Sequence, residues 1–562
     1  MASSVLFEAK MSTLADTVLF NGRVLTVDPH DTVVESVAIK GGRILAVGTN
    51  EEIRPYIGED TKVIELDGRA VTPGLVDSHN HTVEYGFSEM TLNLRYPGVK
   101  SIKEIQALIE ASAKETPEGQ WIKGIGWDEG LLDENRCIKR HDLDPVSPRH
   151  PVVLEAQSAF SVVNSYALRL AGVEPEEGGH DGVLTSGPVS LRIKAMAYDH
   201  SVKEIEEAIL KAQQGLFSVG ITAQKEAGAS DDMIQAYRNL HDRGDLKIRS
   251  YVMIGIHNGR TSLKLAKDVV SQYKPWGDDV LAVRSVKCSF DGSGANRTAW
   301  LHEEWNRGFT DVDHGNYGGP IIDAPHTYPD IMKTLHGAGF QVGAHCIGDR
   351  TIEEYLEAVQ STILSDPKED CRHSVIHCNL PTAKALRKLV ELGDNVVVEA
   401  TTAYMYFVGD IYSSNFGPSR SRCLIPMKTW KERGVIVGNG CDFNTCLVNP
   451  LFGLYAACTR KPMKGLNGPQ PFGVDEQLTF QDALRSYTIN SAHCMFWEKI
   501  LGSIELGKYA DLVVWSRDLD DTRPEELLKT EAELTFVAGE IVYSKSSELM
   551  LGSRKFPSPN PT

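Results

Sequence analysis

Between residues 75 and 437, short apolar runs alternate with longer stretches in which apolar residues recur every three or four positions. The runs Leu75-Val76-Asp77, Gly220-Ile221-Thr222, Tyr251-Val252-Met253-Ile254, residues 283–290, Gln341-Val342-Gly343-Ala344, Ser374-Val375-Ile376, Val396-Val397-Val398 and Val435-Ile436-Val437 read as eight strands. Helical spacing marks residues 202–217, 328–337, 351–364 and 383–392. Strands alternating with helices make parallel βα units, and eight of them favour a closed α/β TIM-like (β/α)8 barrel over an open doubly wound sheet. No G-x-G-x-x-G follows the first run, which argues against a dinucleotide-binding fold.

Both ends of the chain have a different texture. Thr17-Val18-Leu19-Phe20, Val24-Leu25-Thr26-Val27, Val37-Ala38-Ile39 and Ile44-Leu45-Ala46-Val47 are strand-like runs broken at Asn21-Gly22 and Gly41-Gly42, pairs that favour hairpin turns. Asp511-Leu512-Val513-Val514-Trp515 and residues 535–543 repeat the pattern near the other end. The expectation is a small β-sandwich built from both termini, residues 14–70 with 500–548, beside a barrel over 71–499 and a tail at 549–562. Residues 100–200, with Trp121-Ile122-Lys123-Gly124-Ile125-Gly126-Trp127-Asp128 and Pro151-Val152-Val153-Leu154, break the alternation. They read as an insertion or lid after the first barrel strand, where such segments shape a pocket mouth.

Charge narrows the partners. Lys and Arg number 58 against 76 Asp and Glu, a net charge of −18, and such a surface repels phosphate backbones and anionic lipid. Neither a nucleic acid nor a membrane is expected as partner; a small-molecule substrate is. No apolar run reaches the roughly 18 residues of a membrane span. The first ten residues hold only Val5-Leu6-Phe7 and carry Glu8, so the expected location is cytoplasmic. The 10 cysteines are scattered without a C-x-x-C pair, the pattern of reduced thiols.

Candidate chemistry sits at the ends of the barrel strands, where a parallel barrel places its active site. Thr72-Pro73-Gly74-Leu75-Val76-Asp77-Ser78-His79-Asn80-His81 puts two imidazoles on one side of a strand, within reach of one cation. Val286-Lys287-Cys288-Ser289-Phe290-Asp291-Gly292 points a lysine into the barrel mouth, where it is costly unless paired or modified. Pairing with Asp291 or Asp442 and carboxylation by carbon dioxide both satisfy that requirement. His345 in Gly343-Ala344-His345-Cys346, His377 in His373-Ser374-Val375-Ile376-His377, and Asp442 in Gly438-Asn439-Gly440-Cys441-Asp442 complete the series.

With these motifs, and with Gly502-Ser503-Ile504-Glu505-Leu506-Gly507-Lys508-Tyr509-Ala510-Asp511-Leu512 near the end, the chain resembles the amidohydrolase superfamily over nearly its whole length. It looks most like the family 3 branch that includes N-substituted formamide deformylase. The resemblance implies one or two divalent metals, usually Zn2+, and hydrolysis of a C–N bond. It further implies that His79, His81 and Asp442 hold the more buried metal and His345 and His377 the second. An N6-carboxylated Lys287 would bridge them, with Asp442 as the catalytic proton carrier. A homodimer is expected by analogy.

Several positions depart from the family. Phe160, in Glu155-Ala156-Gln157-Ser158-Ala159-Phe160, stands where a histidine is common; Ile376 replaces a frequent glutamate; the seventh strand leads into Glu399-Ala400-Thr401-Thr402 instead of Gln-Pro. Tyr404-Met405-Tyr406-Phe407 then adds aromatic surface, so an amide, N-acyl or cyclic amide of a partly apolar or aromatic molecule is the expected substrate. Trp127, Asp128, Phe160, Glu226, Asp291 and Tyr404 are the candidate substrate contacts, Glu226 also as a partner of Lys225 or Lys287. The same site chemistry also fits deamination, lactone hydrolysis or C–C cleavage with decarboxylation, and the scaffold fits a non-catalytic binding protein.

Overall fold

The computed structural model describes residues 14–96, 98–156, 160–174, 181–184, 188–256, 260–306, 315–519 and 523–546. The tail expected at 549–562 and residues 157–159 lie outside these. Eight parallel strands form the central sheet: β1 (Leu75–Asn80), β2 (Ile221–Ala229), β3 (Arg249–Gly255), β4 (Leu281–Ser289), β5 (Gln341–Cys346), β6 (His373–His377), β7 (Val396–Ala400) and β8 (Val437–Asn439). Each pairs with the next in chain order, and Trp276–Gly277 adds a short antiparallel strand to β4. Nearly every residue along these strands is buried, as a parallel sheet covered on both faces requires. The ring is completed at the strand ends, where the Asp442 N–H donates to the His79 carbonyl at 2.9 Å and the Cys441 N–H to Asp77 Oδ1 at 3.1 Å. The chain thus folds into the TIM-like barrel that the alternation predicts.

The helices fall within two residues of their predicted limits, at Val202–Ser218, Tyr328–Gly337, Asp349–Ser365 and Ala383–Leu392. Asp231–Arg243, after β2, illustrates how sequence sets such limits. Ser230 accepts a hydrogen bond from the Met233 N–H, Asp231 and Asp232 occupy the first turn, and Gly244 closes the helix at φ +74°. Strand β8 begins two residues later than the apolar run because the Val435 N–H is spent on the Trp430 carbonyl that ends the preceding helix.

The termini make two further sheets. One has the strand order Arg43–Gly48, Ser36–Lys40, Thr17–Phe20, Lys62–Glu65. The other interleaves both ends of the chain in the order Glu540–Ser544, Ala532–Val537, Leu512–Trp515, Ala70–Pro73, Arg23–Leu25, Val33–Val34. Leu19, Ile39 and Ile64 share one apolar core with Val514, Leu534 and Phe536. Gly41-Gly42 makes a hairpin, with Lys40 opposite Arg43. Asn21-Gly22 does not: Thr17–Phe20 and Arg23–Leu25 pair in different sheets. Burial of Leu19 and Val24 in the common core outweighs the local turn preference. Asn21, at φ +61°, instead carries the chain from one sheet to the other.

By compactness, the residues up to Thr82 and from Gln213 onward form one unit, and Val83–Ala212 a second. The second has its own five-stranded sheet and a core around Ile105, Ile109, Trp127 and Leu154. Among the described residues, no helix is long and apolar enough to cross a membrane.

Arg249 on β3 makes a forked ion pair with Asp511, Nε to Oδ2 at 2.6 Å and Nη2 to Oδ1 at 3.0 Å, with both side chains buried. Truncating one partner of such a pair leaves an uncompensated charge. Asp511→Ala is therefore expected to destabilise the fold by ~3–5 kcal/mol. Chemical denaturation of the variant beside the parent protein measures this.

Candidate metal centre

Five strand ends bring six side chains together. Alternation along β1 sends Asp77 and His79 to one side, and His81 follows in the same phase. His79 Nε2 lies 3.3 Å and His81 Nε2 3.4 Å from Asp442 Oδ1, and the three donor atoms are within 4.8 Å of one another. Lys287 Nζ is 3.2 Å from His79 Nε2. The His377 ring centre lies 4.9 Å from that of His79 and 4.7 Å from that of His345. All six residues singled out in the sequence as candidate ligands thus meet in one place. His79, Lys287, His377 and Asp442 are buried, whereas the side chains of His81 and His345 retain 28% and 21% exposure, so the cluster is reached from their side.

Burial sets the protonation states. It lowers the Lys287 ammonium from its usual range to about 8, so that roughly a tenth of the side chain is neutral amine at pH 7. Burial, with Lys287 beside it, lowers His79 to about 3; burial and His345 hold His377 well below its ordinary value. Burial alone would raise the Asp442 carboxyl, but hydrogen bonds from His79 and His81 outweigh it and keep the group ionised. Neutral imidazoles around a carboxylate form a donor set suited to a divalent cation, zinc in particular. Ring orientation fits as well. His377 Nδ1 lies 3.2 Å from Thr401 Oγ1, which turns Nε2 toward the centre. His345 Nε2 faces the Gly292 carbonyl at 3.1 Å, which places its proton there and leaves the lone pair on Nδ1.

The backbone is shaped to the same end. Asp442 and His377 sit at φ +53° and +68°, a region non-glycine residues rarely adopt and which clusters at functional sites. A Cβ on Gly440 would stand 2.6 Å from both the backbone N and O of His79, so glycine there lets the end of β8 reach β1. Asp77 Oδ1 accepts the N–H groups of His79 and Cys441, each at 3.1 Å, and ties the same two strands. Asp77, Gly440 and Thr401 all lie in segments singled out in the sequence, but which contacts they make depends on strand pairing.

The candidate substrate contacts divide. Tyr404 is buried against the cluster: its hydroxyl donates to Asp442 Oδ2 and its ring lies 5.4 Å from that of His377, 27° from parallel. Asp291 accepts N–H groups from Trp300, Ile347 and Gly348 at 3.1, 3.1 and 2.8 Å, and lies 3.8 Å from His345 Nε2. It thereby braces the turn that follows His345 at the end of β5. Glu226 faces the helix Asp231–Arg243 and accepts from the Tyr237 hydroxyl at 2.9 Å. The expected Glu226–Lys225 pair is not formed, because consecutive residues of β2 point to opposite sides and Lys225 donates to Glu399 inside the barrel. Trp127 and Phe160 pack edge to face, ring centres 5.4 Å apart, in the core of Val83–Ala212; Asp128 Oδ1 accepts the Gly130 N–H at 2.8 Å.

Among the described residues, a second group, His336, Cys371 and His373, also has donor atoms close together. Its ring nitrogens are already committed. The Val342 N–H donates to His373 Nδ1 at 3.0 Å, which puts the His373 proton on Nε2, 2.9 Å from His336 Nδ1; His336 Nε2 then faces the Asp366 carbonyl at 2.8 Å. This is a closed hydrogen-bond relay, with no lone pair on His373 left for a cation.

Comparison with known proteins agrees with this geometry. The model of the amidohydrolase family matches residues 62–543. The chain belongs to that family, and it is a metal-binding hydrolase acting on carbon–nitrogen bonds. It is 26% identical to the protein LONG AFTER FAR-RED 3 of Arabidopsis thaliana, over 94% of this chain and 92% of that one. To the N-substituted formamide deformylase of Arthrobacter pascens it is 25% identical, over 95% of this chain and 100% of the relative. An uncharacterised metal-dependent hydrolase from Pyrococcus furiosus shares the fold, with a TM-score of 0.73 and 24% identity over 90% of this chain and 100% of that one.

Gly440→Ala tests the junction. A methyl group forced against the His79 backbone has nowhere to go, and overpacking of this kind costs about 1–3 kcal/mol. The variant is expected to melt earlier than the parent and to bind a divalent metal more weakly, which calorimetry and equilibrium dialysis read.

Proposed function

We propose that the protein uses a divalent cation, zinc by the chemistry of its donors, to hydrolyse an amide, N-acyl or cyclic amide bond in a small, partly apolar or aromatic molecule. The convergence of His79, His81 and Asp442, with Lys287, His345 and His377 beside them, carries this reading. His79, His81 and Asp442 hold the more buried cation in this account, and His345 and His377 a second. Lys287, as a neutral amine, would add carbon dioxide and release one proton to become a carbamate, an anion that would supply a ligand to both cations. A cation held by these residues would supply Lewis acidity, polarising the scissile carbonyl and lowering the pKa of water from about 16 to ~7.

Asp442 takes the proton of the attacking water and returns it to the departing nitrogen, the role of a carboxylate within hydrogen-bond reach of both. The buried Tyr404 and Tyr412 rings, 5.6 Å apart, give the cluster an aromatic flank in keeping with an apolar substrate. The name of the deformylase relative points to the same class of bond.

The test pairs metal analysis with a panel of formamides, N-acyl amines, lactams and lactones, assayed on protein expressed with zinc. The expected products are a free amine and a carboxylic acid, or the ring-opened amino acid from a lactam. His79→Ala is expected to lose bound zinc together with turnover. Asp442→Asn is expected to lower turnover roughly 100- to 10,000-fold, the range for a lost general acid–base. Metal content and turnover intact in both variants would refute the proposal. Turnover confined to lactones, or release of ammonia or carbon dioxide alone, would move the enzyme to another reaction class.

A further inference from the structure

We infer that Tyr404 is a positioning residue for Asp442: its hydroxyl fixes which carboxylate oxygen faces the imidazoles. The inference rests on the role of Asp442 proposed above. The backbone of Asp442 is anchored at both ends, its N–H on the His79 carbonyl at 2.9 Å and its carbonyl under the Cys446 N–H at 3.2 Å. Rotation of the carboxylate is the freedom that remains. Oδ1 lies 3.3 and 3.4 Å from His79 and His81, and Oδ2 receives the Tyr404 hydroxyl. With that donor in place the two oxygens are no longer equivalent: one serves the imidazoles and the cation they hold, the other is tethered.

Tyr404 is itself well fixed. It lies in the short helix Ala403–Phe407 that follows β7, its N–H donates to the Thr401 carbonyl at 3.1 Å, and it is 4% exposed. Its ring rests against those of His377 and Tyr412, centres 5.4 and 5.6 Å away. One side chain therefore touches both halves of the cluster, the Asp442 half through its hydroxyl and the His345–His377 half through its ring. These contacts separate by substitution: Tyr404→Phe removes only the hydroxyl, whereas Tyr404→Leu removes the ring as well.

Full-length zinc-loaded protein and both variants are compared for zinc stoichiometry, for kcat and KM on the best substrate of the panel, and for the visible absorption of the cobalt-substituted forms. Tyr404→Phe is expected to keep its zinc and a KM within about twofold of the parent, to lose ~10–100-fold in kcat, and to shift the cobalt bands, because the carboxylate beside the ion loses the hydroxyl that orients it. Tyr404→Leu is expected to lose metal in addition. An unchanged kcat and cobalt spectrum in Tyr404→Phe would overturn the inference, and so would a raised KM at constant kcat, which marks a substrate contact. If the parent hydrolyses none of the panel while the cobalt bands still shift in Tyr404→Phe, the proposed reaction fails and the positioning role stands.

Discussion

The site depends on one buried carboxylate. Asp442 draws two imidazoles from β1 toward an oxygen at the end of β8, and its own N–H closes the barrel between those strands. One residue therefore both closes the ring and gathers the cluster. Taking a carboxylate out of water is costly, and it is tolerated here because imidazoles and a phenol converge on it. The left-handed backbone at Asp442 and the absence of a side chain at Gly440 serve the same end.

Below the cluster the barrel interior is polar in a different way. Lys225 donates to Glu399 and to the Cys494 carbonyl, and Ser374 donates to the same Glu399 at 2.6 Å, with all four residues buried. Here the ion pair of Lys225 on β2 with Glu399 on β7 is internally matched, with the Ser374 hydroxyl on β6 as a further donor, which leaves Lys225 no call on the groups above. Lys287 is placed otherwise, beside imidazoles that are neutral, and burial weakens its hold on a proton. Two inward-pointing lysines of one barrel thus have opposite fates: one is paired, the other is chemically available.

Much of this was legible in the sequence. Eight apolar runs alternating with helical spacing lead to one parallel barrel because both faces of such a sheet are buried and each run must be apolar throughout. The polar residues that interrupt the runs near their ends, His79, Lys287, His345, His377 and Asp442, then stand out as unexplained by packing. What escaped the reading depends on partners distant in the chain. Asn21-Gly22 has the composition of a hairpin, yet the burial of Leu19 and Val24 sends its two strands to different sheets. Glu226 and Lys225 are neighbours in sequence but face opposite sides of β2. Tyr404 announces an aromatic surface; its bond to a carboxylate 38 residues away does not follow from composition.

The most direct test is a crystal structure of the zinc-loaded protein with anomalous data collected at the zinc edge. The account predicts a peak about 2.0–2.2 Å from a nitrogen of His79, a nitrogen of His81 and an oxygen of Asp442. A zinc peak among His336, Cys371 and His373 instead, or none within reach of Asp442 in protein that carries zinc, would contradict it.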